Sequence, residues 1–194
     1  DRLKSNLTGL KFIPQTSIEK ITATILEQTP KLAIIDSIQT INSSDSSTGV
    51  GSAAQITACT SQLMEVAKKS GIPIIIIGHV TKEGFVAGPK TLEHLVDTVL
   101  YLENDSRDFY KILRGVKNRV GSTGEIGVFE MTEIGLKEVK NPTNIFVEEH
   151  SSSAPGTTIS IIMEGSRAFL VEIQALASKT SFGYPQRRST GFDL

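Results

Sequence analysis

The stretch LAIIDSIQT, residues 32–40, sets the strongest limit on the fold. Leu32, Ala33, Ile34 and Ile35 run without a polar break into Asp36 and Ser37. An unbroken apolar run of this kind suits a central parallel strand, buried on both faces. Such a strand delivers its last residues to the C-terminal edge of the sheet. A second run, IPIIIIGHVTK at residues 72–82, ends the same way in His79 and Thr81. Between them, residues 53–70 place Ile56, Cys59, Leu63, Val66 and Ala67 on one helical face, with Gly71 as the C-cap. Strand, helix and strand at this spacing predict a parallel α/β sheet.

The flanking segments extend that plan. Residues 17–28 predict a helix with Ile18, Ile21, Ile25 and Leu26 on one face, Ser17 or Thr16 as its N-cap, and Pro30 as its stop. Residues 7–13 read as a short strand or extended piece. Further strands are expected at 96–102 and 109–116, then an outer strand at 125–131, with 136–140 following. Their close spacing predicts antiparallel additions at one sheet edge. The composition of EEHSSSAPG, 148–156, is that of a linker. Beyond it a hairpin turns at Gly165 and Ser166. The domain reading is therefore 1–147, a linker at 148–157, and a second unit from 158 to 194.

Composition removes several classes. With 194 residues and 39% hydrophobic content, a real core is possible. A net charge of -1 excludes a bulk polycation but leaves room for a local basic patch. One cysteine, Cys59, gives neither an internal disulfide nor a metal cluster. His79, His94 and His150 are scattered, so a zinc site is not supported. No GxSxG elbow is present. The apolar run at 72–77 is too short to cross a bilayer, so no membrane association and a cytoplasmic location are expected. Residue 1 is not Met and residues 189–194 read as the start of a further segment, so both ends are expected to be cut.

Two groups of residues could carry chemistry. Asp36 is placed either to hold a magnesium-bound water beside a nucleotide phosphate or to cap the turn that follows. His79 and Thr81, on the neighbouring strand end, read either as sensors of a γ-phosphate or as ordinary loop residues. The loop 81–89 holds Lys82 and Phe85, is followed by Lys90, and carries glycines at 84 and 88 that permit movement. It reads as a contact to a nucleic-acid backbone or as plain surface. KNRVG, comprising Lys117, Asn118, Arg119, Val120 and Gly121, is the sharpest basic cluster. Lys117 and Arg119 share one side of an extended segment, which invites phosphate from DNA or from a neighbouring subunit's nucleotide. The alternative is a solvated edge strand.

The segments TSIEKI (16–21), PKLAIIDSIQT (30–40), GHVTKEG (78–84), AGPKTLEHLVDTVLYLE (87–103), KNRVGSTGEIGVFEM (117–131), GLKEVKNPTNIF (135–146) and LVEIQALA (170–177) together resemble the RadA (Sms) family of bacterial RecA-like ATPases. The resemblance covers nearly the whole chain. It implies an α/β, RecA-like P-loop NTPase core with a mostly parallel central sheet and antiparallel edge strands. The start of a Lon-protease-like α+β domain would follow. It makes Asp36 the Walker B aspartate, acting on Mg2+ through water, with Ser37 beside it in the nucleotide site. His79 matches the γ-phosphate-sensing position. Thr81, Lys82 and Lys90 join Lys117 and Arg119 as DNA contacts. KNRVG matches the family's KNRFG, whose Lys and Arg serve the motor, the nucleotide across subunits, and DNA. Val120 stands where the family has Phe, which bears on packing rather than charge.

The implied cofactors are ATP and Mg2+, with Zn2+ in an N-terminal finger that this chain does not contain. The Walker A loop and catalytic glutamate of the family are also not in the sequence. The resemblance thus implies a fragment that is inactive alone. The intact protein would be an ATP-driven, DNA-dependent motor on single-stranded and branched DNA. It would promote branch migration in recombinational repair beside RecA, as a homo-hexameric ring in the nucleoid. The alternatives are another RecA-fold hexameric helicase or ATPase, or a non-catalytic interaction unit. A Lon-like peptidase is disfavoured, because no Ser-Lys dyad can be assigned.

Overall fold

The computed structural model describes residues 8–44, 49–79, 92–104, 109–140, 155–179 and 183–191. Thr81, Lys82, Phe85 and Lys90 lie outside the described residues, as does most of the expected linker. The architecture is α/β, as expected.

Helix α1 spans Ile18–Gln28, and the Ser17 hydroxyl accepts from the Lys20 amide at 3.3 Å. Ile18, Ile21 and Ile25 are buried, but Leu26 is 49% exposed. Leu26 sits at the rim of the apolar stripe, one residue round from Ile25. Thr29 closes the helix in the left-handed region before Pro30. Residues 8–13 form no strand. Helix α2 spans Ala53–Ser70, with Ser52 as N-cap and Gly71 at φ 73 as C-cap. Ile56, Cys59 and Leu63 are buried as the spacing predicts, together with Gln55 and Thr60.

Strands β1 (Ala33–Asp36) and β2 (Ile74–Ile77) pair in parallel, from Ala33 opposite Ile74 to Asp36 opposite Ile77. The expectation of burial on both faces is not met. Ile35 is 8% exposed, while Ile34 and Ile75 are 56% and 49% exposed. The apolar residues of α1 and α2 join one cluster with Ile35, Ala33, Ile74 and Ile76. Both helices therefore cover the same face, and nothing among the described residues covers the other.

Strands β3 (Thr98–Asn104), β4 (Tyr110–Asn118), β5 (Ile126–Thr132) and β6 (Gly135–Glu138) form a separate antiparallel sheet in chain order. The segment expected as the outer strand, β5, is inside this sheet, and β6 takes the edge. Short connections allow only hairpins here, because a parallel return needs a long crossover. Leu92 and Leu95, just before β3, pack into the α/β core and tie the two parts together.

Strands β7 (Thr157–Glu164) and β8 (Arg167–Gln174) form the predicted hairpin around Gly165 and Ser166. Its tip rests on the start of β5. The Ser166 amide and hydroxyl donate to the Glu125 carboxylate at 3.1 and 3.0 Å, and Arg167 Nη1 donates to the Ile126 carbonyl. Gly165, at φ 59, is required: a Cβ there would lie 2.9 Å from the Gly124 carbonyl oxygen.

Glu19, in the first turn of α1, fastens that helix to the segment after β1. Its carboxylate accepts from the Ser17 and Ser43 hydroxyls at 2.6 and 2.7 Å and from the Ser44 amide at 3.0 Å. The Ser17 hydroxyl, then that of Ser43, lowers its pKa from 4.5 to about 2. A depressed carboxylate stabilises the fold above its unfolded value, and that gain is lost as the pH falls through its folded value. Glu19→Gln is therefore expected to lower the urea midpoint at neutral pH. The difference from the wild type should shrink as pH falls below 4.5 and vanish only below 2. Parallel curves across that range would show that the serine hydrogen bonds do not bind Glu19.

Candidate functional site

Asp36 and Ile77 are opposite each other, so the chain leaves both parallel strands at one edge. Asp36 is exposed there and Ser37 is 8% exposed. The bond between them is cis. Ile38, fully buried, roots the 3-10 turn Ile38–Thr40 in the core. Gln39 on that turn reaches across, its Nε2 donating to the His79 carbonyl at 3.2 Å. The edge thus gathers Asp36, Ser37, Gln39 and exposed His79. A hard oxygen donor beside a hydroxyl, at the C-terminal edge of parallel strands, fits a water-mediated hold on Mg2+.

The basic cluster is built differently. β4 runs two residues beyond its expected end, so Lys117 and Asn118 belong to the strand. It pairs with β3 along its length but with β5 only as far as Arg114, so Lys117 and Asn118 have a strand neighbour on the β3 side alone. Lys117 Nζ donates to the carbonyls of Glu93 at 2.6 Å and His94 at 3.3 Å. The Arg119 amide donates to the Asp97 carbonyl at 3.0 Å, and its Nη1 lies 2.9 Å from Asp97 Oδ1. The Tyr101 hydroxyl donates to the Glu93 carboxylate, and this bond pushes its pKa up to about 12. Both partners of the Arg119–Asp97 pair are 60% exposed, so it contributes only ~0.2–1 kcal/mol and acts chiefly on orientation.

Asn118 closes the loop after β4. Its Oδ1 accepts from the Val120 amide at 3.2 Å and its Nδ2 donates to the Ser122 carbonyl at 3.4 Å. Glycine at 121 leaves room for that side chain, since a Cβ there would lie 2.7 Å from Asn118 Nδ2. Val120 is 92% exposed at the loop's tip. Beside the loop, Leu100, Leu113, Gly115, Lys117, Asn118 and Glu125 line a cleft of about 370 Å³.

The structure brings Asp36, Ser37 and His79 to one edge, and Lys117 and Arg119 to one loop base. No hydrogen bond or ion pair among the described residues joins the two groups. Sequence reasoning missed Gln39, Glu93, Asp97 and Tyr101. The signal available for two of them was the four-residue spacing of Glu93 and Asp97, ahead of a strand whose partner ends in two cations. Their meeting depends on the β3–β4 register, which includes a shift between Val99 and Leu100.

No family model matches the chain. It is 53% identical over 193 residues to DNA repair protein RadA of Bacillus subtilis, covering 100% of this chain and 42% of that one. The RadA proteins of Halalkalibacterium halodurans and Listeria monocytogenes are 52% and 49% identical over the same length and coverage. The chain thus spans about two fifths of the length of these curated relatives. Among solved structures, the RadB recombinase matches 63% of this chain and 59% of that one at 19% identity and a TM-score of 0.46, too loose a likeness to carry weight. Across the segment it spans, the chain belongs to the family of DNA repair protein RadA.

Proposed function

We propose that this chain is part of an ATP-driven DNA motor acting in recombinational DNA repair. Residues 1–147 would supply part of a RecA-like ATPase domain, 148–157 a linker, and 158–194 the start of a Lon-protease-like domain. The observation that carries this reading is the edge at which two parallel strands deliver Asp36 and His79, with Gln39 of the turn after Asp36 bonded to the His79 carbonyl. The names of the relatives supply the biological setting.

In this reading Asp36 holds a water of the Mg2+ that accompanies ATP, with Ser37 beside it. His79 senses the γ-phosphate, and the Gln39–His79 bond carries that state to the turn rooted by Ile38. ATP, when bound, supplies the phosphoryl chemistry. Lys117 and Arg119 offer cations to a phosphate of DNA or of a neighbouring subunit's nucleotide, and Thr81, Lys82 and Lys90 contact DNA. The assembly would be a hexameric ring on single-stranded and branched DNA, promoting branch migration beside RecA. It would work in the cytoplasm, at the nucleoid. Among the described residues no helix is long and apolar enough to cross a membrane.

The test is the ATP turnover of the full-length protein with and without single-stranded DNA. DNA-stimulated hydrolysis is the expected result. A protein with no ATPase activity under either condition would make the motor reading wrong.

A further inference from the structure

Arg119 is held at two points by one residue. Its amide donates to the Asp97 carbonyl, and its Nη1 sits 2.9 Å from the Asp97 carboxylate. A guanidinium carries five N–H donors in a rigid fork, and the carboxylate engages Nη1 alone. The pair is exposed, so its contribution to stability is small. Its effect is to fix the direction of a long, rotor-rich side chain.

The carboxylate is itself held on a rooted segment. Leu92 and Leu95 pack into the α/β core. Lys117 bonds the carbonyls of Glu93 and His94, and Tyr101 bonds the Glu93 carboxylate. Asp97 is the last residue before β3 whose carbonyl and side chain both face Arg119. A cation oriented by a fixed acid loses less freedom when it meets its ligand than a loose one does.

We propose that Asp97 is the positioning residue of Arg119, holding its guanidinium ready for a phosphate group. This rests on the phosphate-binding reading of Arg119 given above. The phosphate belongs either to a nucleoside triphosphate or to a nucleic-acid backbone, and the two leave different kinetic marks.

The experiment compares full-length wild type with Arg119→Ala, Asp97→Ala, Asp97→Asn, Asp97→Glu and the double alanine variant. The readouts are DNA-stimulated turnover, KM for ATP, and single-stranded-DNA affinity against salt. Asp97→Ala should lose about 10-fold or more in the same parameter that Arg119→Ala damages, and the double variant should be no worse than Arg119→Ala, as for residues acting as one unit. Asp97→Glu should recover most of the loss and Asp97→Asn little, which separates charge from fold. A raised KM with steady DNA affinity points to the triphosphate. A weaker DNA affinity with a salt slope reduced by about one points to the backbone. Losses that multiply in the double variant, or a normal Asp97→Ala beside an impaired Arg119→Ala, overturn the positioning role alone. A normal Arg119→Ala overturns it together with the phosphate reading.

Discussion

Ile38→Ala is expected to lower unfolding stability by about 2–5 kcal/mol, seen as a reduced urea midpoint at an unchanged slope. Ile38 is fully buried in the cluster shared by α1, α2 and β1. Losing three carbons forfeits about 2.4 kcal/mol of transfer free energy at about 0.8 kcal/mol each. The cavity adds to this because the packed cluster around it relaxes only in part. Against a typical total of about 5–15 kcal/mol, that is a large share. Ile38→Val removes one carbon and should cost only about 0.5–1.5 kcal/mol. The same residue roots the turn carrying Gln39, whose amide bonds the His79 carbonyl. Loss of packing should therefore also loosen the link between the two strand ends. A cost for Ile38→Ala below about 1 kcal/mol would show that the turn is not packed as described.

The parts of the fold that could be read from the sequence are those with a short-range cause. The bounds of α2 are legible because Ser52 and Gly71 are local start and stop signals and the apolar spacing between them is strict. The hairpin at Gly165–Ser166 was readable for the same reason. What failed depended on distant partners. The isoleucines of β1 and β2 promised cover on both faces, but an apolar run records only that cover is needed, not which residues supply it. β5 alternates apolar and polar like an outer strand, yet β6 pairs with it, an outcome decided by the Glu133–Ile134 turn rather than by its own pattern. At the site, Lys117 and Arg119 were visible as cations because charge is local information. Their partners at 93, 94 and 97 were not, because three of the four contacts use backbone carbonyls that no side-chain pattern marks.

Lys117→Ala in the full-length protein is expected to cut DNA-stimulated ATP turnover by about 10²-fold or more, the scale of losing a fixed donor to developing phosphate charge. The ammonium has three donors, and the carbonyls of Glu93 and His94 engage two of them. Alanine thus removes a cation and two of the bonds that hold the segment carrying Asp97, so the seat of Arg119 loosens in the same step. Two effects converge on one loop, which is why Lys117 should outrank Arg119 in the size of its loss. Lys117→Arg keeps the charge, but its planar fork cannot reproduce a point donor shared between successive carbonyls, so recovery should be partial. Retained DNA binding beside lost turnover would place Lys117 in coupling or in a neighbour's nucleotide site. Lost DNA binding, with the salt slope reduced by about one, would make it a backbone contact. Unchanged turnover and unchanged DNA binding would reduce Lys117 to a strut between β4 and the segment before β3. The cation reading of KNRVG would then fall to Arg119 alone.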